Sequence, residues 1–116
     1  MTRPQFATEA VGILSEIGTL LERDQDGFRS NMSAKLADAV KSQSPDLAKS
    51  YCGVDWWGGS GSMADYIPDD PAAKAPYMRL LIRLVRVFEA AGFRCERARS
   101  WTDIFENWLE RGIISD

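Results

Sequence analysis

From Tyr77 to Phe88 the apolar residues return every three or four positions, and this rhythm limits the chain's folding choices more than any other feature. Tyr77, Leu80, Leu81, Leu84, Val85 and Phe88 line one stripe, and Met78, Ile82 and Val87 broaden it. A period near 3.6 places these side chains on one face of an α-helix, whereas a strand would need alternation. A stripe so wide needs other elements around it, so the 77–91 helix is expected at the centre of the fold. Asp69, Asp70 and Pro71 supply a helix start, Pro76 either kinks the opening or marks the true first turn, and Gly92 suits the C-terminal cap.

The same rhythm recurs elsewhere. Phe6, Ala10, Ile13, Leu14, Ile17, Leu20 and Leu21 predict a helix over about 4–23, opened by a capping box of Thr2 and Gln5 with Pro4 in the first turn. Gly12 and Gly18 weaken this helix by about 1 kcal/mol each relative to Ala, so close packing against a neighbouring helix is expected at both. The acids Glu22, Asp24 and Asp26 fall in the turn that ends it. Phe28, Met32, Leu36, Ala39 and Val40 predict a second helix over about 28–42. Ser44 and Pro45 open a short third one that reaches Tyr51 and stops at Gly53. Ser100 and Asp103 are read as the start of a last helix, with Trp101, Ile104, Phe105, Trp108 and Leu109 as its apolar face and Gly112 as its stop.

Between them, residues 54–68 break the rhythm, because Gly58, Gly59 and Gly61 cannot stay helical cheaply. Part of 64–67 could be extended, but no second strand is evident for it to pair with. The expected fold is therefore all-α. Four to five helices form one domain over residues 1–116, with a Gly/Trp-rich turn and at most one short extended segment.

Composition narrows the chemistry. The chain contains no histidine, which removes His-dependent triads, Cys–His dyads and nearly all zinc sites. Carboxylates, Lys, Tyr or Cys would have to serve as acids and bases. Cys52 and Cys95 could pair, but a cytosolic domain of this size does not need a bridge, and they are read as two reduced, partly buried thiols. No apolar run is long enough to span a bilayer, and the amino terminus lacks the pattern of a signal peptide, so a cytoplasmic location is expected.

The net charge is −3 and its distribution is uneven. Residues 1–70 carry six basic and eleven acidic side chains, and residues 71–116 carry eight basic and six acidic. An acidic first part would attract a basic partner rather than phosphate.

Three constellations are candidates for function. The first is the loop: Asp55, Trp56, Trp57, Asp65, Asp69 and Asp70 as partner-binding residues, with Gly58, Gly59, Gly61 and Ser62 forming the turn. Trp is enriched in binding hot spots, although the same tryptophans could instead plug the core. The glycines lack the spacing and the Lys-Ser or Lys-Thr of a phosphate-binding loop. The second is a basic face of Arg79, Arg83, Arg86, Arg94, Arg97 and Arg99, opposed within 79–99 only by Glu89 and Glu96. It would suit nucleic acid or an acidic partner, or it could pair with acids from elsewhere in the fold. The third is Asp65, Asp69 and Asp70 as oxygen ligands for a hard cation; the last two are already explained as helix-start residues, so no metal and no cofactor is expected.

The segment Trp57-Gly58-Gly59-Ser60-Gly61-Ser62-Met63-Ala64-Asp65 resembles the Gly-Gly-x-Gly-Ser-x-x-Asp motif of a family of small bacterial helical proteins of unknown function. In that family an aromatic residue precedes the glycines and an apolar stretch follows the Asp, places taken here by Trp57 and by Tyr66 and Ile67. Pro68 departs from the pattern and would end a strand. Some similar proteins look like immunity proteins, which neutralise toxins. The resemblance implies a helical fold and a protein partner such as a basic toxin bound by occlusion, and it carries no catalytic residue across. The alternatives are a small nucleic-acid-binding regulator using the basic face and an enzyme relying on carboxylates.

Overall fold

The computed structural model describes residues 1–114. Among them lie four long helices, α1 (Arg3–Arg23), α2 (Gly27–Lys41), α5 (Pro71–Ala90) and α6 (Glu96–Glu110), and two single-turn segments, α3 (Leu47–Tyr51) and α4 (Val54–Trp57). No strand occurs among the described residues, and 66–68 is irregular rather than paired. The all-α reading therefore stands, without its extended segment.

The long helices are layered in the order α2, α1, α5, α6. The central position expected for the 77–91 helix is thus shared: α1 lies between α2 and α5, and α5 between α1 and α6. The starts follow local chemistry. Thr2 and Gln5 form the capping box of α1. Asp26 caps α2 by accepting from the Arg29 N–H, and Asp70 caps α5 by accepting from the Ala72 N–H. Pro76 lies inside α5, where it leaves the Ala72 carbonyl without its helical donor. Both residues are exposed, so the break faces solvent.

All four long helices end alike. Two residues after the last helical one, the backbone turns to positive φ at Gln25 (61°), Gln43 (52°), Gly92 (97°) and Gly112 (70°). The next N–H then reaches back to the final turn, as Asp26 to Leu21 at 2.9 Å and Phe93 to Phe88 at 2.9 Å. At two of the four ends glutamine occupies the conformation that glycine adopts most cheaply.

Three details differ from the sequence reading. Phe28 does not join the buried stripe of α2; it is 70% exposed, and the buried line is Ser33, Leu36, Ala37 and Val40. Ser33 can face the core because its hydroxyl donates to the Leu14 carbonyl at 2.7 Å, satisfying both groups between α1 and α2. α6 opens at Glu96, not near Ser100, because its buried line is Ala98, Thr102 and Phe105, while Ile104 is exposed. Gly12 and Gly18 are not sites of close helix packing. A Cβ at Gly12 would meet nothing within 4 Å, and one at Gly18 only the Ser30 Oγ at 4.0 Å.

At one end of the bundle an aromatic cluster joins the elements. The Tyr51 ring stacks on Phe88 at 4.0 Å, and Phe6 meets Phe88 edge-on at 5.1 Å. Beside it, the expectation of two reduced thiols is corrected: Cys52 and Cys95 form a disulfide, their Cα atoms 5.5 Å apart. The bridge joins the end of α3 to the residue preceding α6, a juxtaposition that a separation of 43 residues does not reveal.

Candidate functional site

The Gly/Trp segment folds into a closed loop built on α4. The chain leaves α4 at Gly58, turns through Gly59 to Gly61, and returns so that the Met63 N–H donates to the Asp55 carbonyl (2.8 Å) and the Ala64 N–H to the Trp56 carbonyl (2.9 Å). The returning segment thereby satisfies carbonyls that the short helix leaves without partners. Ser62 is buried and braces the turn: its hydroxyl donates to the Gly58 carbonyl at 2.9 Å and accepts from the Asp65 N–H at 3.2 Å.

Two glycines are needed here for different reasons. A Cβ at Gly58 would lie 2.5 Å from the Val54 carbonyl oxygen, closer than atoms can approach. Gly61 has open space around it but adopts φ +87°, which disfavours any side chain.

The loop is anchored from beneath. Trp56 and Trp57 are 3% and 2% exposed. Their assignment as anchors for a partner is therefore corrected: both indoles belong to the protein's own core. Trp57 Nε1 donates to the Tyr51 carbonyl at 2.8 Å, and Trp101 Nε1 donates to the Trp57 carbonyl at 3.0 Å, tying the loop to α6. On the other side the buried Tyr77 hydroxyl donates to the Met63 carbonyl at 2.7 Å.

Arg29, which the sequence reading passed over, completes the support. Its guanidinium pairs with Asp26 at 2.7 Å, donates to the Ser62 carbonyl at 3.3 Å and lies 4.6 Å from the centre of the Tyr66 ring. Burial pushes the Asp26 carboxyl up, but the Arg29 N–H, guanidinium and charge outweigh this and hold it below its ordinary value. No sequence signal pointed to Arg29, because its partners come from α2, the loop and the chain beyond it.

What the loop shows to solvent is acidic. Residues 50–73 contain Asp55, Asp65, Asp69 and Asp70 and no basic residue. All four acids are exposed, as are the aliphatic side chains of Val54 (63%) and Ile67 (52%). Asp70 also serves as the α5 cap, and the Asp69 N–H donates to the Asp24 carboxylate at 3.3 Å. Asp65, Asp69 and Asp70 are not brought together as a cation site: among the described residues no group of three or more His, Cys, Asp or Glu could hold a metal ion.

The six arginines do not form one uncommitted face. Arg83 pairs with Glu16 at 3.3 Å, Arg86 with Glu106 at 2.9 Å and Arg99 with both oxygens of Glu89 at 2.7 and 2.8 Å. Arg79 lies on the exposed side of α5 and lines a groove between α1 and α5 of about 810 Å³ that also holds Arg23, Glu16, Asp24 and Asp70. Arg94 and Arg97 are exposed and have no ion pair among the described residues. Glu16 and Glu106 lie outside 79–99, so the positive charge of that segment is partly neutralised by α1 and α6. Among the described residues no helix is long and apolar enough to cross a membrane. No protein-family model, curated protein or solved structure matches the chain.

Proposed function

We propose that the chain is a non-catalytic protein-binding domain that engages a basic partner through the exposed surface of residues 54–70. A single observation carries this reading: a loop with four exposed acids, no base and two exposed aliphatic side chains is braced rigidly from below. An unpaired acidic surface steers a basic partner into encounter and repels acidic competitors. Exposed Val54 and Ile67 provide apolar contact inside that field. Because the loop is already ordered by Ser62, Tyr77, Arg29 and Trp101, binding costs little further conformational entropy. The lack of histidine and the enclosure of both cysteines in a bridge leave few groups suited to catalysis, which supports binding over turnover.

The finer reading is an immunity-type inhibitor that covers a toxin's working surface. It draws on the resemblance of residues 57–65 and on the acidic loop. The nucleic-acid reading has less behind it, since Arg83, Arg86 and Arg99 are committed to intramolecular pairs. The test is co-expression with the product of the adjacent reading frame, followed by co-purification and a survival assay. The reading expects a complex and protection. It also expects Asp55→Lys with Asp65→Lys to slow association by about tenfold at low salt while leaving the fold intact. Absence of both complex and protection rejects the inhibitor, and a complex indifferent to the charge reversal rejects this surface.

A further inference from the structure

We infer that the Cys52–Cys95 bridge is open to thiol–disulfide exchange in the folded protein, with Cys52 as the sulfur attacked and Cys95 as the leaving thiolate. The two ends of the bridge differ. Cys52 is partly exposed, on the short connection between α3 and α4, whereas Cys95 is 4% exposed. An incoming thiolate therefore reaches Cys52 first.

Cys95 occupies the N-cap position of α6, a 15-residue helix with no side-chain cap. This is the place where Ser or Asp ordinarily accepts hydrogen bonds from the first-turn N–H groups. A thiolate released there meets those donors and the positive end of the helix, with Arg94 and Arg97, which have no ion pair among the described residues, on either side of it in sequence and Glu96 opposing them. Burial of Cys95 among apolar residues opposes a charge there, and the helix-terminal donors offset that cost, so that the thiolate can leave once Cys52, the more accessible sulfur, is attacked.

The exchange balances in two steps. A monothiol such as glutathione, as its thiolate, bonds to the Cys52 sulfur; the Cys52–Cys95 bond breaks and its electron pair stays on Cys95. A second thiolate attacks the glutathione sulfur of the mixed disulfide, forms oxidised glutathione and releases Cys52 as a thiolate. The protein gains two electrons, the two glutathione molecules lose them, and water protonates the released thiolates as the pH dictates.

The bridge closes a ring that contains the whole 54–70 loop, so opening it acts on that surface. The core need not open with it: Trp57 keeps its bond to Tyr51, Trp101 its bond to Trp57, and Tyr77 its bond to Met63. The consequence is a local loosening near residues 52–58 and 95–98, with α1 and α5 unchanged. This inference does not depend on the binding proposal.

The test uses the full chain. The native protein is treated with reduced glutathione, trapped with an alkylating agent and mapped by peptide mass spectrometry, and amide hydrogen exchange is compared before and after full reduction. The inference expects the glutathione adduct on Cys52 at least fivefold over Cys95, with faster exchange confined to the segments around the bridge. It is overturned by an adduct on Cys95, by an equal split, or by reduction only at the rate of global unfolding. A Cys52→Ser/Cys95→Ser variant gives an independent check. Retention of α1 and α5 protection supports local opening, and failure of that variant to fold overturns it.

Discussion

Two buried tyrosines show how single groups are used in opposite ways. Tyr77 is 1% exposed and its hydroxyl donates to the Met63 carbonyl; Tyr51 is equally buried, but its hydroxyl has no hydrogen-bond partner among the described residues. Burial raises the pKa of both phenols, with Glu89 adding to the effect at Tyr51. Tyr77→Phe strands a carbonyl in the core and should cost about 1–2 kcal/mol, whereas Tyr51→Phe keeps the stacked ring, discards an unsatisfied hydroxyl and should be neutral or stabilising by up to about 1 kcal/mol. Urea denaturation of both variants checks the opposite signs. Asp26 gives a charge-specific companion. Its folded pKa lies below the ordinary 3.8, so its contribution is present above that value and disappears as pH falls through the folded one. Asp26→Asn retains an acceptor for the Arg29 N–H but loses the charge. The variant should therefore be less stable than the parent near neutrality, by about 1 kcal/mol, and the gap should close below pH 3.8. Thermal melts between pH 7 and pH 2 measure it. None of this is legible in the sequence: nothing there tells which of Tyr51 and Tyr77 finds a hydrogen-bond partner for its hydroxyl, and Arg29 looks like any surface cation.

At the scale of elements, the capping box of Thr2 and Gln5, the start at Asp70 and Pro71 and the stop at Gly92 were readable because each is a local signal decided within a few residues. The faces of α2 and α6 differ from the apolar pattern where Ser33 and Thr102 fill the core, because hydroxylated residues carry no weight in that pattern, and where Ala98 lies before the start expected for α6. Glycines show the same contrast. Close packing is expected at Gly12 and only a turn at Gly58, yet the first has open space at its Cβ position and the second a carbonyl oxygen at 2.5 Å. Gly12→Ala should therefore stabilise α1 by about 0.5–1 kcal/mol through its helix propensity alone. Gly58→Ala should destabilise by about 2 kcal/mol or more, since Val54 cannot move without breaking the turn. Chemical denaturation of the pair gives both signs. A destabilising Gly12→Ala would mean that α1 packs more closely there than its surroundings indicate.

For the molecule as a whole, the all-α architecture followed from periodicity, but the arrangement that builds the loop surface did not. Asp55, Asp65, Asp69 and Asp70 share the exposed surface, whereas Trp56 and Trp57, which hot-spot frequency and core plugging explain equally well in sequence, both turn inward. The bridge is the largest feature that periodicity could not supply, since it depends on α3 and α6 meeting across the fold. Closing a ring over a separation of 43 residues lowers the entropy of the unfolded chain, worth about 4 kcal/mol on the loop-closure relation, and measured bridges commonly deliver about 2–4 kcal/mol. A chain of this length typically has about 6–17 kcal/mol in total, so the reduced protein should remain folded at 25 °C yet melt far earlier. With an unfolding entropy near 2.1 cal/mol/K per residue, each kcal/mol moves the midpoint by about 4 °C, so reduction should lower Tm by about 8–16 °C. Melts of the oxidised protein, the reduced protein and Cys52→Ser/Cys95→Ser decide the matter. If the bridge acts through the unfolded chain, the last two should coincide. If only the reduced protein melted early, with the serine pair matching the oxidised form, the loss would have to come from ionised thiols at the α6 N-terminus and not from the missing crosslink.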